Sequence, residues 1–360
     1  MAVHFVEVEP MDLVPSAGAP ATVVVATPNY EERSIGFLER FLGKCVAESV
    51  ETTRVRTCLL WPQGVTGRVD LLEELKASHL ERIEALLAVF PSERCVFSYP
   101  MDFNERKVTD ALMESVESFR GEPLNLVVDI SCMPKRVLVS VCDAVARAMV
   151  AIGADQLSVY FIYSSPERYA ALRYAQNVGA VEGYFSGKPV HDWKKSDNVA
   201  ALVFPGLQGY EGKLLYDELQ SRVRSSVTAF VAVGGHDYHT ALAIMRANQF
   251  LLEQRSIEVL YYFSFIDGLE RLASWVHAEM TRLDTAAKAR PVTKRFLLAA
   301  PFGPKVFTAA SYFMLKGLQQ AHPECEIEIA HVSGFQYLSL YSLGLAGIAG
   351  FKLVETGRPL

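Results

Sequence analysis

Short β-branched or aromatic runs alternate with segments of helical period along most of the chain, and this alternation sets the fold class before any single residue is weighed. In the first half the strand-like runs fall at 22–26, 55–61, 94–98, 124–130 and 157–163. Helical patterns separate them near 35–50, 69–89, 105–119 and 137–152. The second half repeats the order, with strands at 199–204, 227–233, 257–263, 295–299 and 326–331 and helices near 213–223, 240–254, 267–284 and 306–320. Strand–helix–strand units of this kind build a parallel sheet with helices on its faces.

Two landmarks recur at matching places. Tyr30-Glu31 and Tyr210-Glu211 follow the first strand of each half, offset by 180 residues, and Pro134-Lys135 and Pro304-Lys305 follow the fourth, offset by 170. The reading is an α/β chain of two tandem doubly wound, mainly parallel Rossmann-like modules related by internal duplication. Its boundaries are an N-terminal arm at 1–20 lying on the surface, a first module at 21–182, a linker at 183–197 and a second module at 198–360. Within the second module, 337–344 reads as a packed terminal helix with Tyr337 and Tyr341 on one face. Two unrelated α/β domains, or one continuous sheet, are the alternatives.

Composition bounds the partners. The 360 residues are half apolar and 21% charged, with a net charge of −6, which describes a folded chain of about two domains. The most apolar windows, 137–154 and 296–315, are interrupted by Asp143 and Arg147 and by Lys305, so no membrane span is expected. The first ten residues carry Glu7 and Glu9 and no basic region, unlike a signal peptide. Six cysteines without CxxC or Cys/His ligand spacing indicate neither a disulfide scaffold nor a structural zinc site, and point to reducing cytoplasm. The acidic balance disfavours a general nucleic-acid surface and leaves room for a local basic pocket. The surplus of apolar residues fits buried layers or a subunit interface, and a homo-oligomer is compatible with it.

Ligands of open parallel sheets bind beyond the carboxyl ends of the strands, so the segments after each strand are the candidate site. The fourth-strand turn, Asp129-Ile130-Ser131-Cys132-Met133-Pro134-Lys135-Arg136, brings a helix N-terminus and two cations together, an arrangement suited to phosphate. Asp129 is placed to orient Lys135 or contact a ribose hydroxyl. Ser131 is placed to cap the helix or donate to a phosphate oxygen. The competing reading makes Ser131 a plain N-cap, with Lys135 and Arg136 solvated or paired with Glu31 or Glu32. In the second half, Gly303 before Pro304-Lys305 permits close backbone approach and favours anion binding. The first-strand turn adds Asn29, Tyr30, Glu31 and Arg33. Glu31 is a possible acid/base group there, although acids in a helix's first turn are the commoner case. Ser164 follows the fifth strand. Gly234-Gly235-His236 follows the second strand of the second half, and its two nearby histidines do not have metal-site spacing. Ser333 lies beyond the last strand. No metal or cofactor is expected. Walker A, GxGxxG after a strand, GxSxG and HExxH patterns are absent.

The run VVDISCMPKRVLVSVCDAVA, 127–146, resembles the strand, polar turn, lysine and helix signature of the CRISPR-associated Rossmann-fold (CARF) family and related defence sensors. Asp129, Ser131 and Lys135 fall on matching positions, while Cys132 and Met133 stand where that family has glycines. Lys305 matches the lysine alone. The resemblance implies a cyclic oligonucleotide held where two modules meet, and, since no nuclease, protease or winged-helix pattern is found in this chain, either a separate effector protein or a pair of modules that itself acts on the ligand.

The expected function is therefore binding of a phosphate-bearing small molecule or short cyclic or linear oligonucleotide, as a sensor or accessory component of a bacterial defence system. A rival is an enzyme, a metal-independent phosphodiesterase or a nucleoside/NAD glycosidase, with Lys135 or Arg136 stabilising charge and Glu31 or His236 moving protons. A third reading is a non-catalytic scaffold.

Overall fold

A computed structural model describes residues 2–16, 18–62, 69–91, 93–99, 105–153, 155–169, 181–187, 198–207, 209–222, 226–234, 238–253, 257–262, 264–289, 295–332 and 342–356. β1 (Ala2–Val8) and a 3-10 turn lead into β2 (Ala21–Ala26). Then follow α1 (Arg33–Ala47), β3 (Val55–Pro62), α2 (Val69–Val89), β4 (Glu93–Tyr99), α3 (Glu105–Glu117), β5 (Leu124–Asp129), α4 (Lys135–Ile152) and β6 (Leu157–Ser165). After the short strands β7 (Arg168–Tyr169) and β8 (Val181–Gly183), alternation resumes with β9 (Asn198–Phe204), α5 (Gly209–Arg222), β10 (Ser226–Gly234), α6 (Tyr238–Ala247) and α7 (Gln249–Leu252). It continues through β11 (Ile257–Tyr262), α8 (Phe265–Ala289), β12 (Arg295–Pro301), α9 (Lys305–Ala321) and β13 (Cys325–Val332), and closes with β14 (Ser342–Leu343) and β15 (Gly347–Thr356).

Among the described residues the strands form a two-stranded sheet, β14-β7, and two mainly parallel sheets. One runs β1-β15-β6-β5-β2-β3-β4 and the other β11-β10-β9-β12-β13-β8. Numbered within its own half, each has the order third-second-first-fourth-fifth, with every pair among those five parallel. Both are compatible with a Rossmann-like α/β fold. β2 is buried along its whole length, as a strand covered on both faces must be. One face of the first sheet packs Val24, Ala26, Val127 and Ile162 against Ile35, Phe37, Phe41 and Ile83 of α1 and α2. α3 and α4 pack together and contact strands of the same sheet. In the other sheet Val199, Ala201, Val231 and Leu298 meet Leu215, Leu219, Ile244 and Leu251 of α5 to α7. α4 shows why the periodicity was legible: its buried Val137, Leu138, Val141, Cys142, Val145 and Met149 recur at three- and four-residue spacing. It ends at Gly153, whose φ of 96° suits a residue without a Cβ.

The chain ends depart from the sequence reading. Residues 1–20 were expected as a surface arm; instead Ala2–Val8 is a strand beside β15, and Leu13 and Val14 are buried in the first core. Segment 337–344 was expected as a helix. Its described part, Ser342 to Gly344, begins with β14, antiparallel to β7, and 337–341 lie outside the described residues. The proposed linker at 183–197 begins inside β8, which pairs antiparallel with β13, and 188–197 also lie outside the described residues. The second module is expected to run to residue 360, yet β15 pairs antiparallel with β6 of the first sheet, Gly347 opposite Ser165 through Leu353 opposite Val159. Each sheet thus gains its antiparallel strand from the segment that follows the other alternation. Two compact units result: a first of Phe5–Arg173 with Gln336–Glu355, and a second of Met1–His4, Tyr174–Phe335 and Thr356–Leu360. Among the described residues, no helix is long and apolar enough to cross a membrane.

Candidate functional site

In the first unit the strand order reverses between β2 and β5, and open sheets of this topology seat ligands at the carboxyl ends of the strands that flank such a reversal. Asn29 ties the two segments together. Its Nδ2 donates to the Cys132 carbonyl at 3.5 Å, and its Oδ1 accepts from the Glu31 amide at 2.7 Å. Ser34 on α1 completes the turn, its Oγ accepting from the Asn29 amide at 3.0 Å and donating to the Asn29 carbonyl at 3.2 Å.

Asp129 and Ser131 are both buried at the end of β5. Asp129 Oδ1 accepts from the Ser131 amide at 2.9 Å and from Ser131 Oγ; that hydroxyl in turn accepts from the Ser164 amide at 2.8 Å. Ser131 therefore does not cap α4. It staples the end of β5 to β6. The N-cap of α4 is Pro134, with φ −56° and ψ 141°, and no side chain caps that end. Lys135 is the first helical residue and half-buried, while Arg136 is exposed.

Arg33 and Glu31 sit deeper than the sequence suggested, at 2% and 6% exposed. Arg33 Nε approaches Glu31 Oε2 at 3.1 Å and Ser342 Oγ at 2.9 Å, and its Nη1 donates to the Ser164 carbonyl at 3.2 Å. Ser342 Oγ also donates to Glu31 Oε2. Burial works against the guanidinium charge, but the Cys132 thiol, the Glu31 carboxylate and the phenols of Tyr163 and Tyr169 outweigh it and hold Arg33 well above its usual range. With its carboxylate engaged in this way, Glu31 anchors Arg33; the acid/base role considered for it has no geometric support here. Tyr30, which precedes Glu31 in the turn, is buried.

The outer side of the same turn is held by α2. Buried His79 places Nδ1 2.7 Å from the Asn29 carbonyl and Nε2 3.3 Å from Glu32. Arg82 binds Glu32 and Glu39 at 3.1 and 2.8 Å. The Arg82 hydrogen bond, aided by His79, holds Glu32 below the usual carboxylate range. Sequence reasoning missed His79, Arg82 and Ser342. The first two read as the polar side of an amphipathic helix, and Ser342 lay in the stretch taken for a helix.

The second unit reverses between β9 and β12. Its fourth-strand turn matches the first in backbone: Pro304 is the N-cap of α9 with φ −58° and ψ 140°, no side chain caps it, and Lys305 is the first helical residue. Its surroundings differ. The Gly303 amide donates to the Phe204 carbonyl at 2.7 Å, and a Cβ on Gly303 would meet the Pro205 carbonyl oxygen at 2.9 Å. A Cβ on Gly206 would meet the Phe302 carbonyl oxygen at 2.7 Å. These glycines admit the neighbouring loop, so the close approach read from Gly303 is to protein backbone. Below them Phe204 and Phe307 stack at 4.2 Å, with Tyr262 edge-on to Phe307 at 5.0 Å. Gly234 makes room for the Tyr262 ring. Gly235, His236 and Ser333 lie outside the described residues.

Among the described residues one trio, Asp284, His322 and Glu324, sets a metal-ligating atom from each within 4.8 Å of the others. It lies where α9 ends and β13 begins, at the opposite ends of the strands from the turns above.

No family model and no curated protein matches the chain. Among solved structures it is similar to the cytoplasmic domain of a prokaryotic cation chloride cotransporter, at 9% identity, over 86% of this chain and 95% of that one, with a TM-score of 0.25. A second is the adenylation, ketoreductase and pseudo Asub multidomain structure of a keto acid-selecting NRPS module, at 9% identity, over 91% of this chain and 34% of that one, with a TM-score of 0.18.

Proposed function

We propose that the first unit binds a phosphate-bearing nucleotide or short oligonucleotide between the β2 and β5 turns. The two units would then be duplicated copies of which the first keeps the polar site. What carries this reading is the gathering of Asn29, Asp129, Ser131, Ser164 and Arg33 at the reversal point of the sheet, beside a helix end that lacks a side-chain cap and opens with Lys135. Polar groups are costly to bury, and here they collect at the one edge where this topology seats ligands. The resemblance to the CARF family adds a cyclic oligonucleotide as ligand class, and a sensor or accessory role in bacterial defence rests on that resemblance alone. Paired use of Lys135 and Lys305 is less favoured, because the Gly303 amide beside Lys305 already serves the fold.

Calorimetry with cyclic and linear oligoadenylates, mononucleotides and dinucleotides tests the proposal. At least one should bind, Lys135→Ala should weaken it about tenfold or more, and Lys305→Ala should leave it within about twofold. A panel without any binder, or a Lys135→Ala protein that binds like wild type, refutes it.

A further inference from the structure

The returning chain around residues 342–347 packs against the start of α1 and the end of β6. Leu345 packs where a Cβ on Gly36 of α1 would stand, the Ala346 amide donates to the Ser165 carbonyl at 2.9 Å, and the Glu167 amide donates to the Leu343 carbonyl at 3.1 Å. These contacts hold Ser342 against Arg33 and Glu31. Arg33 has five N–H donors. Its Nε serves Glu31 and Ser342, and one Nη1 hydrogen serves the Ser164 carbonyl; among the described residues its Nη2 group has no hydrogen-bond partner. Two buried hydroxyls at strand ends are also unused among the described residues. Ser164 Oγ and Thr27 Oγ1, in residues 0% and 2% exposed at the ends of β6 and β2, meet no partner among the described residues. A buried hydroxyl left this way is costly unless it finds a partner. Because Glu31 neutralises Arg33, the guanidinium offers a ligand directed N–H groups more than net charge, and Lys135 supplies the charge.

We infer that Ser342 is a positioning residue for the ligand site: it fixes the Glu31–Arg33 pair so that the free edge of Arg33 and the Ser164 hydroxyl receive a phosphate oxygen, and the site is complete only when the returning chain is docked. This rests on the nucleotide-binding reading and adds a regulatory consequence. Ligand binding and docking of β14 stabilise one another by the same factor.

The test uses the full chain, inorganic pyrophosphate as probe, and amide hydrogen exchange over residues 27–34. Ser342→Ala should weaken pyrophosphate about tenfold, the loss of one hydrogen bond to a charged group, and should speed exchange over 27–34 without ligand. Ser342→Thr, which keeps the hydroxyl, should restore both. Pyrophosphate bound equally by wild type and Ser342→Ala, with Lys135→Ala weakened, overturns the positioning role and leaves the nucleotide reading standing. No binding of pyrophosphate by wild type overturns the positioning role, and the nucleotide panel then decides the reading on which it rests. Unchanged exchange over 27–34 in Ser342→Ala overturns the positioning role on its own.

Discussion

The two reversal points share a strand order and almost the same Pro-Lys backbone, yet among the described residues the turns that flank them meet through different groups. In the first unit, side chains join the loops: Asn29 reaches the Cys132 carbonyl, and Ser131 links Asp129 to β6. In the second, backbone meets backbone through Gly206 and Gly303, over a stack of Phe204 on Phe307. Where β9 ends in Phe204, β2 ends in Ala26, and where α9 has Phe307 as its third residue, α4 has Val137. Topology alone therefore does not make a site. A polar closure leaves donors with capacity to spare, whereas a backbone and aromatic closure uses its groups in holding the fold.

The comparison breaks most visibly at Phe307. Its ring is wholly buried and touches Phe204, Tyr262 and Phe265. Phe307→Ala should cost about 3–5 kcal/mol, the usual loss for a large aromatic whose cavity cannot collapse. Denaturant unfolding followed by fluorescence measures it, and hydrogen exchange should place the loss in the second unit. A cost below about 1 kcal/mol would mean that the stack is not what supports the α9 turn.

Most of this architecture was legible because it is local. The ten parallel strands match the drawn runs to within a few residues at each end, since a strand buried on both faces is a short apolar run and a covering helix is a 3.6-residue pattern. What was not legible is the pairing of distant segments. β15 reads as a strand only once β6 offers it an open edge, and β1, within the expected surface arm of residues 1–20, is a strand only beside β15. The site divides along this line. Asp129, Ser131 and Lys135 announced themselves as one contiguous motif, whereas Ser342 reaches Arg33 across 309 residues of chain and left no local signal. Gly303 falls between: its sequence shows that something approaches closely, but not that the something is the Pro205 carbonyl.

A middle-sized effect sharpens the contrast. Gly206→Ala places a Cβ 2.7 Å from a backbone oxygen that cannot rotate away, so the loop must move, at about 1–3 kcal/mol. Asn29→Ala removes side-chain bonds to Cys132 and Glu31 in a partly buried turn and should cost about 0.5–1.5 kcal/mol. The backbone closure should thus be the less tolerant of the two. Paired urea titrations would show it, and the reverse order would mean that the polar loops bear the greater structural share.

The smallest effect concerns the outer anchor of the polar loop, and its sign follows from linkage. The Arg82 hydrogen bond, with His79 alongside, lowers the Glu32 carboxyl in the folded chain below the value of about 4.5 that it has when free. A carboxylate lowered by folding adds stability that is fully present above the unfolded value and disappears as pH falls through the folded one. Wild type should therefore exceed Glu32→Gln in stability near pH 7, and the gap should close as pH falls from about 5 toward 3. Glu32 is nearly half exposed, so water and salt screen the pair and the gap should shrink further in high salt. Urea midpoints of the two proteins across that range decide the matter. A gap that persists at pH 3 would assign Glu32 a packing role, and the first unit's loop would then resemble the second unit's in being held by shape more than by charge.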